Sequence, residues 1–198
     1  MVPETLLVLT LFGIGYYAFH LYSLKDKQDQ LHQHKLSEFL NSKEDVYNIL
    51  LAGMYQRFKK EEGKLVDTPY DFERFVAKTL EVLYKGKCTV TPSSNDEGVD
   101  ILHYTNDGLE LIQVKCYDPN AKLNFEPVAI LHSQMIKQQA QKAAIISTCS
   151  YSDFAIRYAD EVNVRLIDGK TFLELWIQSI SKLEDELLLC SPVTPDYA

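Results

Sequence analysis

Residues Glu97–Tyr117 read EGVDILHYTNDGLELIQVKCY, and the arrangement of the chain follows from how this stretch pairs. Two alternating segments flank the turn residues Asn106-Asp107-Gly108, the pattern of a β-hairpin. Val99, Ile101 and His103 alternate with Asp100, Leu102 and Tyr104, while Leu111, Gln113 and Lys115 share one side of the second segment. A turn at Asn106-Asp107 sets Asp100 opposite Gln113; a turn at Asp107-Gly108 sets it opposite Lys115. Side chains repeat every two residues, so both registers put Asp100, Gln113 and Lys115 on one face. A carboxylate, a second oxygen donor and a lysine two residues on suit a hard cation and an attacking water.

Outward from the hairpin, the spacing predicts a helix over 70–84, a strand over 87–92, the two hairpin strands over 98–104 and 109–117, and then a helix over 127–142. A strand over 143–148, a helix over 151–160, a strand over 162–167 and a helix over 170–180 follow. Strands linked by crossover helices imply an α/β fold with a mixed sheet and helices on both faces. The chain has 198 residues, of which 46% are hydrophobic, enough for one domain with a real core and some chain to spare. Cys88, Cys116, Cys149 and Cys190 form no CxxC or Cys/His spacing, so zinc is not expected, and the first three read as small core residues of a reduced domain. A net charge of −8 argues against strong non-specific DNA binding but leaves room for a locally basic groove. Arg74, Lys78, Lys115, Lys122, Lys137 and Lys142 are the candidate groove cations.

The N-terminal part carries a second signal. Thr5–Leu24 reads TLLVLTLFGIGYYAFHLYSL without one Lys, Arg, Asp or Glu, long enough for a single transmembrane helix over 5–24. Tyr16, Tyr17 and Tyr22 suit an interfacial aromatic belt. Lys25 and Lys27 follow at once, placing the N-terminus outside and the remainder in the cytoplasm. No basic segment precedes the apolar run, as a cleaved signal peptide requires. Residues 25–67 are polar and helix-forming, a helical stalk of one or two amphipathic helices; a homodimer is expected either through this stalk or through the α/β domain that follows. The α/β segment spans 68–180, and 181–198 is a tail with two prolines from Ser191 on.

From about Thr68 to Trp176 the chain resembles the Mrr-like type IV restriction endonucleases of the PD-(D/E)xK nuclease superfamily. The resemblance rests on an ordered set: the helix Tyr70–Ala77, the strand end Val90-Thr91-Pro92, the polar loop Ser93–Glu97, Gly98-Val99-Asp100, Gln113-Val114-Lys115 followed by Tyr117, the strand Ala144–Thr148, and Val164–Gly169 leading into a last helix. It implies a restriction-endonuclease-like sheet, DNA as partner and Mg2+ as cofactor, with Mn2+ as an alternative. It also implies Asp100, Gln113 and the Val114 carbonyl as metal ligands, Lys115 as the residue that activates water, and the helix-borne acid Glu73 as a further catalytic and metal-binding residue. Gln113 stands where the wider superfamily often has Glu, which lowers the charge of the site. Asp96 and Glu97 are substitute ligands, and Tyr117 and the glutamines Gln134, Gln138, Gln139 and Gln141 are candidates for packing or for DNA contact. The activity implied is metal-dependent hydrolysis of DNA phosphodiester bonds by a membrane-anchored endonuclease, in restriction or defence. The alternative is a non-catalytic anchored module that binds nucleic acid or protein on the same fold. No segment corresponds to a separate DNA-recognition domain, so the residues assign no preference for modified bases.

Overall fold

In the computed structural model of the protein the hairpin is the centre of a five-stranded sheet. The structure describes residues 4–92 and 97–190, the side chains of 4–15, Ala18 and 186–190 excepted. The strands are β1 (Lys87–Val90), β2 (Ile101–Thr105), β3 (Gly108–Lys115), β5 (Lys142–Ser147) and β7 (Val164–Ile167), in the order β1-β2-β3-β5-β7. β1, β2 and β3 run antiparallel, and β3, β5 and β7 run parallel, so the sheet is mixed as the sequence implies. A second ribbon of β4 (Lys122–Leu123) and β6 (Ser150–Tyr151), too short to show a period in sequence, ties two loops together.

The register settles the turn. Leu102 pairs with Leu111 and Thr105 with Gly108, which leaves Asn106-Asp107 at the tip. Continuing the ladder one step past Ile101–Ile112 sets Asp100 opposite Gln113. β5 reads KAAIIS and is buried from its second residue on, the continuous apolar run of a strand covered on both faces.

Helices cover both faces. α2 (Pro69–Tyr84) begins at a capping box in which Thr68 and Asp71 satisfy each other's backbone, with Pro69 in the first turn. It packs Phe72, Val76, Ala77 and Leu80 on one face of the sheet beside α5 (Gly169–Cys190), whose Phe172 and Leu173 are fully buried. α3 (Glu126–Lys137) and α4 (Asp153–Glu161, capped by Ser152) cover the other face around Val99, Leu111, Val128, Leu131 and Ile145. Several limits differ from the sequence expectation. α3 stops at Lys137 rather than 142: Gln139 takes a left-handed φ of 52°, and the Gln141 Oε1 accepts the Leu109 amide at 2.7 Å, so only Gln134 of the four glutamines lies in the helix. α5 continues to Cys190.

The first helix, α1 (Glu4–Phe58), straddles a division of the chain into two compact units, Met1–Val46 and Tyr47–Ala198. In the second unit its last turns bury Leu51, Met54 and Phe58 in the main core. Part of the segment read as stalk therefore belongs to the α/β core. In the first unit the helix exposes Tyr16, Tyr17, Phe19, Leu21, Tyr22 and Leu24. Among the described residues no helix is long and apolar enough to cross a membrane. The side chains of residues 5–15 and Ala18, over half of the expected span, lie outside the described set, as does the tail from Ser191.

At the far end of the sheet from Lys115, one polar cluster escaped the sequence reading. His103 of β2 is 1% exposed, its Nδ1 3.3 Å from Oε2 of its β3 partner Glu110 and its Nε2 2.9 Å from the Lys85 carbonyl. Arg165 of β7 donates to Glu110 Oε1 at 2.8 Å. The hydrogen bond to Glu110 raises the His103 pKa against the effect of burial. Burial alone would raise Glu110; the hydrogen bond from His103 and the charge of Arg165 outweigh it and hold the carboxyl low. A raised histidine stabilises the fold below its unfolded pKa and loses that contribution as pH rises through the folded one. A lowered carboxylate does so above its unfolded pKa and loses it on acidification. The cluster therefore contributes in full between about pH 4.5 and about pH 6.5. The wild-type Tm is expected to fall as pH rises above that window, and Glu110→Gln to flatten that slope; parallel slopes in the two proteins would contradict this assignment.

Candidate active site

Asp100 sits one residue before β2, and its backbone is held from both sides. Its N–H donates to the Ile112 carbonyl and its C=O accepts from Thr91 N–H, each at 2.9 Å, while Thr91 Oγ1 donates to the Val99 carbonyl at 2.7 Å. Gly98 permits the approach: it has φ 86°, and a Cβ there would lie 2.4 Å from Ile130 Cγ2. So fixed, Asp100 is 3% exposed, and its Oδ2 accepts the Val114 amide at 2.6 Å. The contact bridges the two ribbons at the level where Gln113 and Lys115 flank Val114.

Gln113 is 4% exposed, and its Oε1 is buried with no hydrogen-bond partner among the described residues. An unsatisfied buried carbonyl costs about 1–3 kcal/mol, so an orphan beside a buried carboxylate signals a group the site is built to receive. Val114 points its N–H at Asp100, and its carbonyl leaves the strand on the same side, since both backbone groups of a strand residue face one neighbour. Lys115 is half-buried at the strand end. Its carbonyl accepts the Thr148 amide at 3.1 Å, and Thr148 Oγ1 accepts from Tyr117 N–H at 2.8 Å and donates to the Tyr117 carbonyl at 2.5 Å. Thr148, 1% exposed, thus pins the end of β3 to β5 and is a positioning residue with no motif of its own.

The ladder brings Asp100 and Gln113 to one level of the sheet, Val114 bonds Asp100 there, and Lys115 follows one residue on. One buried carboxylate, one orphaned amide oxygen and one backbone carbonyl form an all-oxygen set, which fits a hard divalent cation of the Mg2+ type. Among the described residues no group of three or more His, Cys, Asp or Glu is placed to hold a metal, so a cation here would rely on carbonyl oxygens for the rest of the protein's share.

Glu73 is half-buried on α2 and lines a surface hollow of about 400 Å3 with Lys59, Lys60, Lys64 and Thr68. Burial pushes the thiol of Cys116, just past the end of β3, up to about 11, against the Thr148 hydrogen bond and the charge of Lys64. Cys88 is likewise pushed up to about 12 by burial, and both thiols stay protonated at neutral pH. A cleft of about 580 Å3, lined among others by Tyr55, Asp118, Asn120, Thr148 and Asp168, opens beside the site and was not anticipated from sequence.

Other candidate residues are otherwise engaged. Glu97 pairs with Lys137 at 2.5 Å, and that lysine's hydrogen bond and charge hold the carboxyl below its ordinary range. It serves as a loop anchor on α3, so the expectation of a substitute ligand gives way to an ion pair. Asp96 lies outside the described residues. Of the expected groove cations, Lys137 is taken by Glu97, and Lys142 pairs with Asp107 at 3.0 Å at the turn end of the hairpin. Tyr117 is exposed.

Comparison with known proteins bears on the fold and the family. No curated protein matches the chain. Two solved structures share the fold: "DNA modification-dependent restriction endonuclease AspBHI" (TM-score 0.54, 16% identity, covering 72% of this chain and 39% of that one) and "MspJI Restriction Endonuclease in Complex with 27-mer Oligonucleotide" (TM-score 0.50, 21% identity, covering 73% and 35%). The chain thus spans well under half the length of either. The family model Mrr_cat, described as restriction endonuclease, matches residues 67–176, more than half of the sequence and the whole of the Asp100–Lys115 hairpin, and the chain belongs to that restriction endonuclease family.

Proposed function

We propose that the protein is a divalent-metal-dependent endonuclease hydrolysing DNA phosphodiester bonds in restriction or defence. The observation that carries this is the orphaned Gln113 Oε1 beside the buried Asp100, at the point where β3 presents Lys115. In the reaction Asp100, Gln113 and the Val114 carbonyl hold the cation's place. Lys115 would orient the attacking water and offset charge developing on the phosphate, and Glu73 would be the helix-borne acid that helps hold the metal. A bound Mg2+ supplies Lewis acidity to the scissile phosphate. The low exposure of Asp100 and Gln113 strengthens each of these interactions. DNA as substrate draws on the family and on MspJI, a similar fold solved with a 27-mer oligonucleotide. The test is conversion of supercoiled plasmid in Mg2+ by the wild type, stopped by a chelator. Inactivity with Mg2+ and Mn2+ alike on DNA of several sources would favour the non-catalytic binding module instead.

Membrane tethering through 5–24, with the enzymatic domain cytoplasmic, forms part of the same reading. Its support is the charge-free run of that segment and the exposed aromatics at 16–22. Removal of residues 1–24 is expected to move the protein from the membrane pellet to the supernatant; an unchanged distribution would sink the tether.

A further inference from the structure

The loop between α1 and α2, residues 59–67, is rigidly mounted yet presents groups the fold does not use. Its start is anchored by Phe58, 5% exposed, in ring contact with Phe72 at 5.4 Å and Phe75 at 5.9 Å. Its end is held by an ion pair from Arg57 to Asp67 at 3.0 Å and by the Thr68–Asp71 capping box. Within it, Gly63 at φ 76° allows a tight turn in which the Lys64 amide donates to the Glu61 carbonyl, and the Lys64 amine donates to the Arg57 carbonyl at the end of α1. Ordinary surface loops are polar; this one turns Leu65 (92% exposed) and Val66 (71% exposed) into solvent. Beside them Lys59 and Lys60 have no ion-pair partner among the described residues, in a chain of net charge −8. Lys59, Lys60 and Lys64 line the hollow together with Glu61 and Glu73, and Tyr55 and Gln56, just before the loop, line the cleft that Thr148 shares at the end of β3.

Cations bordering an exposed aliphatic tip, at the same end of β3 as the reactive residues, match what a nucleic-acid duplex offers. Phosphates attract lysine, and a groove floor accepts aliphatic wedges. We propose that the 59–66 loop is the substrate grip: Lys59 and Lys60 bind duplex backbone phosphates flanking the cut, and Leu65-Val66 rests in the groove. This rests on the nuclease reading above and goes beyond it by naming where the duplex is held.

The test uses the full chain carrying Asp100→Asn, so that DNA is bound and not cut, and measures affinity for a short duplex between about 50 and about 200 mM salt. Adding Lys59→Glu and Lys60→Glu is expected to weaken binding at least about tenfold and to lower the slope of log K against log salt by about 1.8, two phosphates' worth. Adding Leu65→Ser instead is expected to weaken binding several-fold with the slope unchanged. Lys60 and Leu65 are exposed and Lys59 is half-buried, so the Tm of each variant, measured alongside, is expected to stay close to the parent's. DNA binding that survives all loop substitutions overturns the grip but leaves the nuclease reading standing; no DNA binding by the parent overturns both. Weaker binding of these variants to phosphatidylserine vesicles, with DNA affinity unchanged, would reassign the loop to a lipid surface and also overturn it.

Discussion

Lys115→Ala is expected to cut the rate of DNA hydrolysis by about 10²–10⁴-fold, the span typical of losing a proton-handling or charge-stabilising group, while leaving cation binding in place. Asp100→Asn should lose both cleavage and cation binding. The contrast follows from position. Asp100 is the buried carboxylate bonded to the Val114 amide, whereas Lys115 lies at the half-exposed strand end with its backbone pinned by Thr148. An asparagine at 100 still accepts the Val114 N–H, so the hairpin keeps its bridge, and only the charge that attracts a cation is removed. Parallel assays of cleavage and of Mg2+-dependent Tm on the two variants make the distinction. Wild-type turnover by Lys115→Ala would end its proposed role. Equal loss of cation binding in both variants would mean that Lys115 shapes the site rather than acts in it.

The largest stability effect is expected at Phe72. This side chain is fully buried between the end of α1, the sheet and α5, with ring centroids 5.4 Å from Phe58 and 5.8 Å from Phe172, the latter edge-on. Truncation removes a whole ring from a packed cluster that has little freedom to collapse. Phe72→Ala should cost about 3–5 kcal/mol, a large share of an ordinary domain's stability, seen as a Tm lower by roughly 6–20 °C. Because Phe58 belongs to the same cluster, the substitution should also loosen the 59–67 loop and make it sensitive to protease. A cost under about 1 kcal/mol would show that the last turns of α1 are not integral to the core.

What the sequence disclosed followed from strong periodicity. The hairpin alternates strictly about Asn106-Asp107, so the shared face of Asp100, Gln113 and Lys115 was readable before any coordinates. The run Ala143–Ile146 announced a strand buried on both faces, and Thr68-Pro69 with Asp71 announced the start of α2. What stayed hidden depends on partners far along the chain. The core-facing turns of α1 carry Leu51, Met54 and Phe58 in a long helix that also exposes Leu31, Leu36, Phe39, Leu40, Val46 and Ile49, so its pattern cancels. The His103–Glu110–Arg165 cluster joins β2, β3 and β7, with Arg165 55 residues beyond Glu110, and each member alone looks like a surface polar residue. The extension of α3 past Lys137 was misjudged because glutamines favour helices, whereas Gln141 is claimed by the Leu109 amide. Glu97 offered a carboxylate in the right place, and only coordinates reveal Lys137 across from it.

All of the chemistry assigned to this hairpin depends on whether Asp100 and the partnerless oxygen of Gln113 hold a divalent ion. Calorimetric titration of Mg2+ into wild type and Asp100→Ala reads this without requiring turnover. The expected result is saturable binding of an ion by the wild type that is absent from the variant. Identical isotherms for the two proteins, or no binding to either, would contradict it.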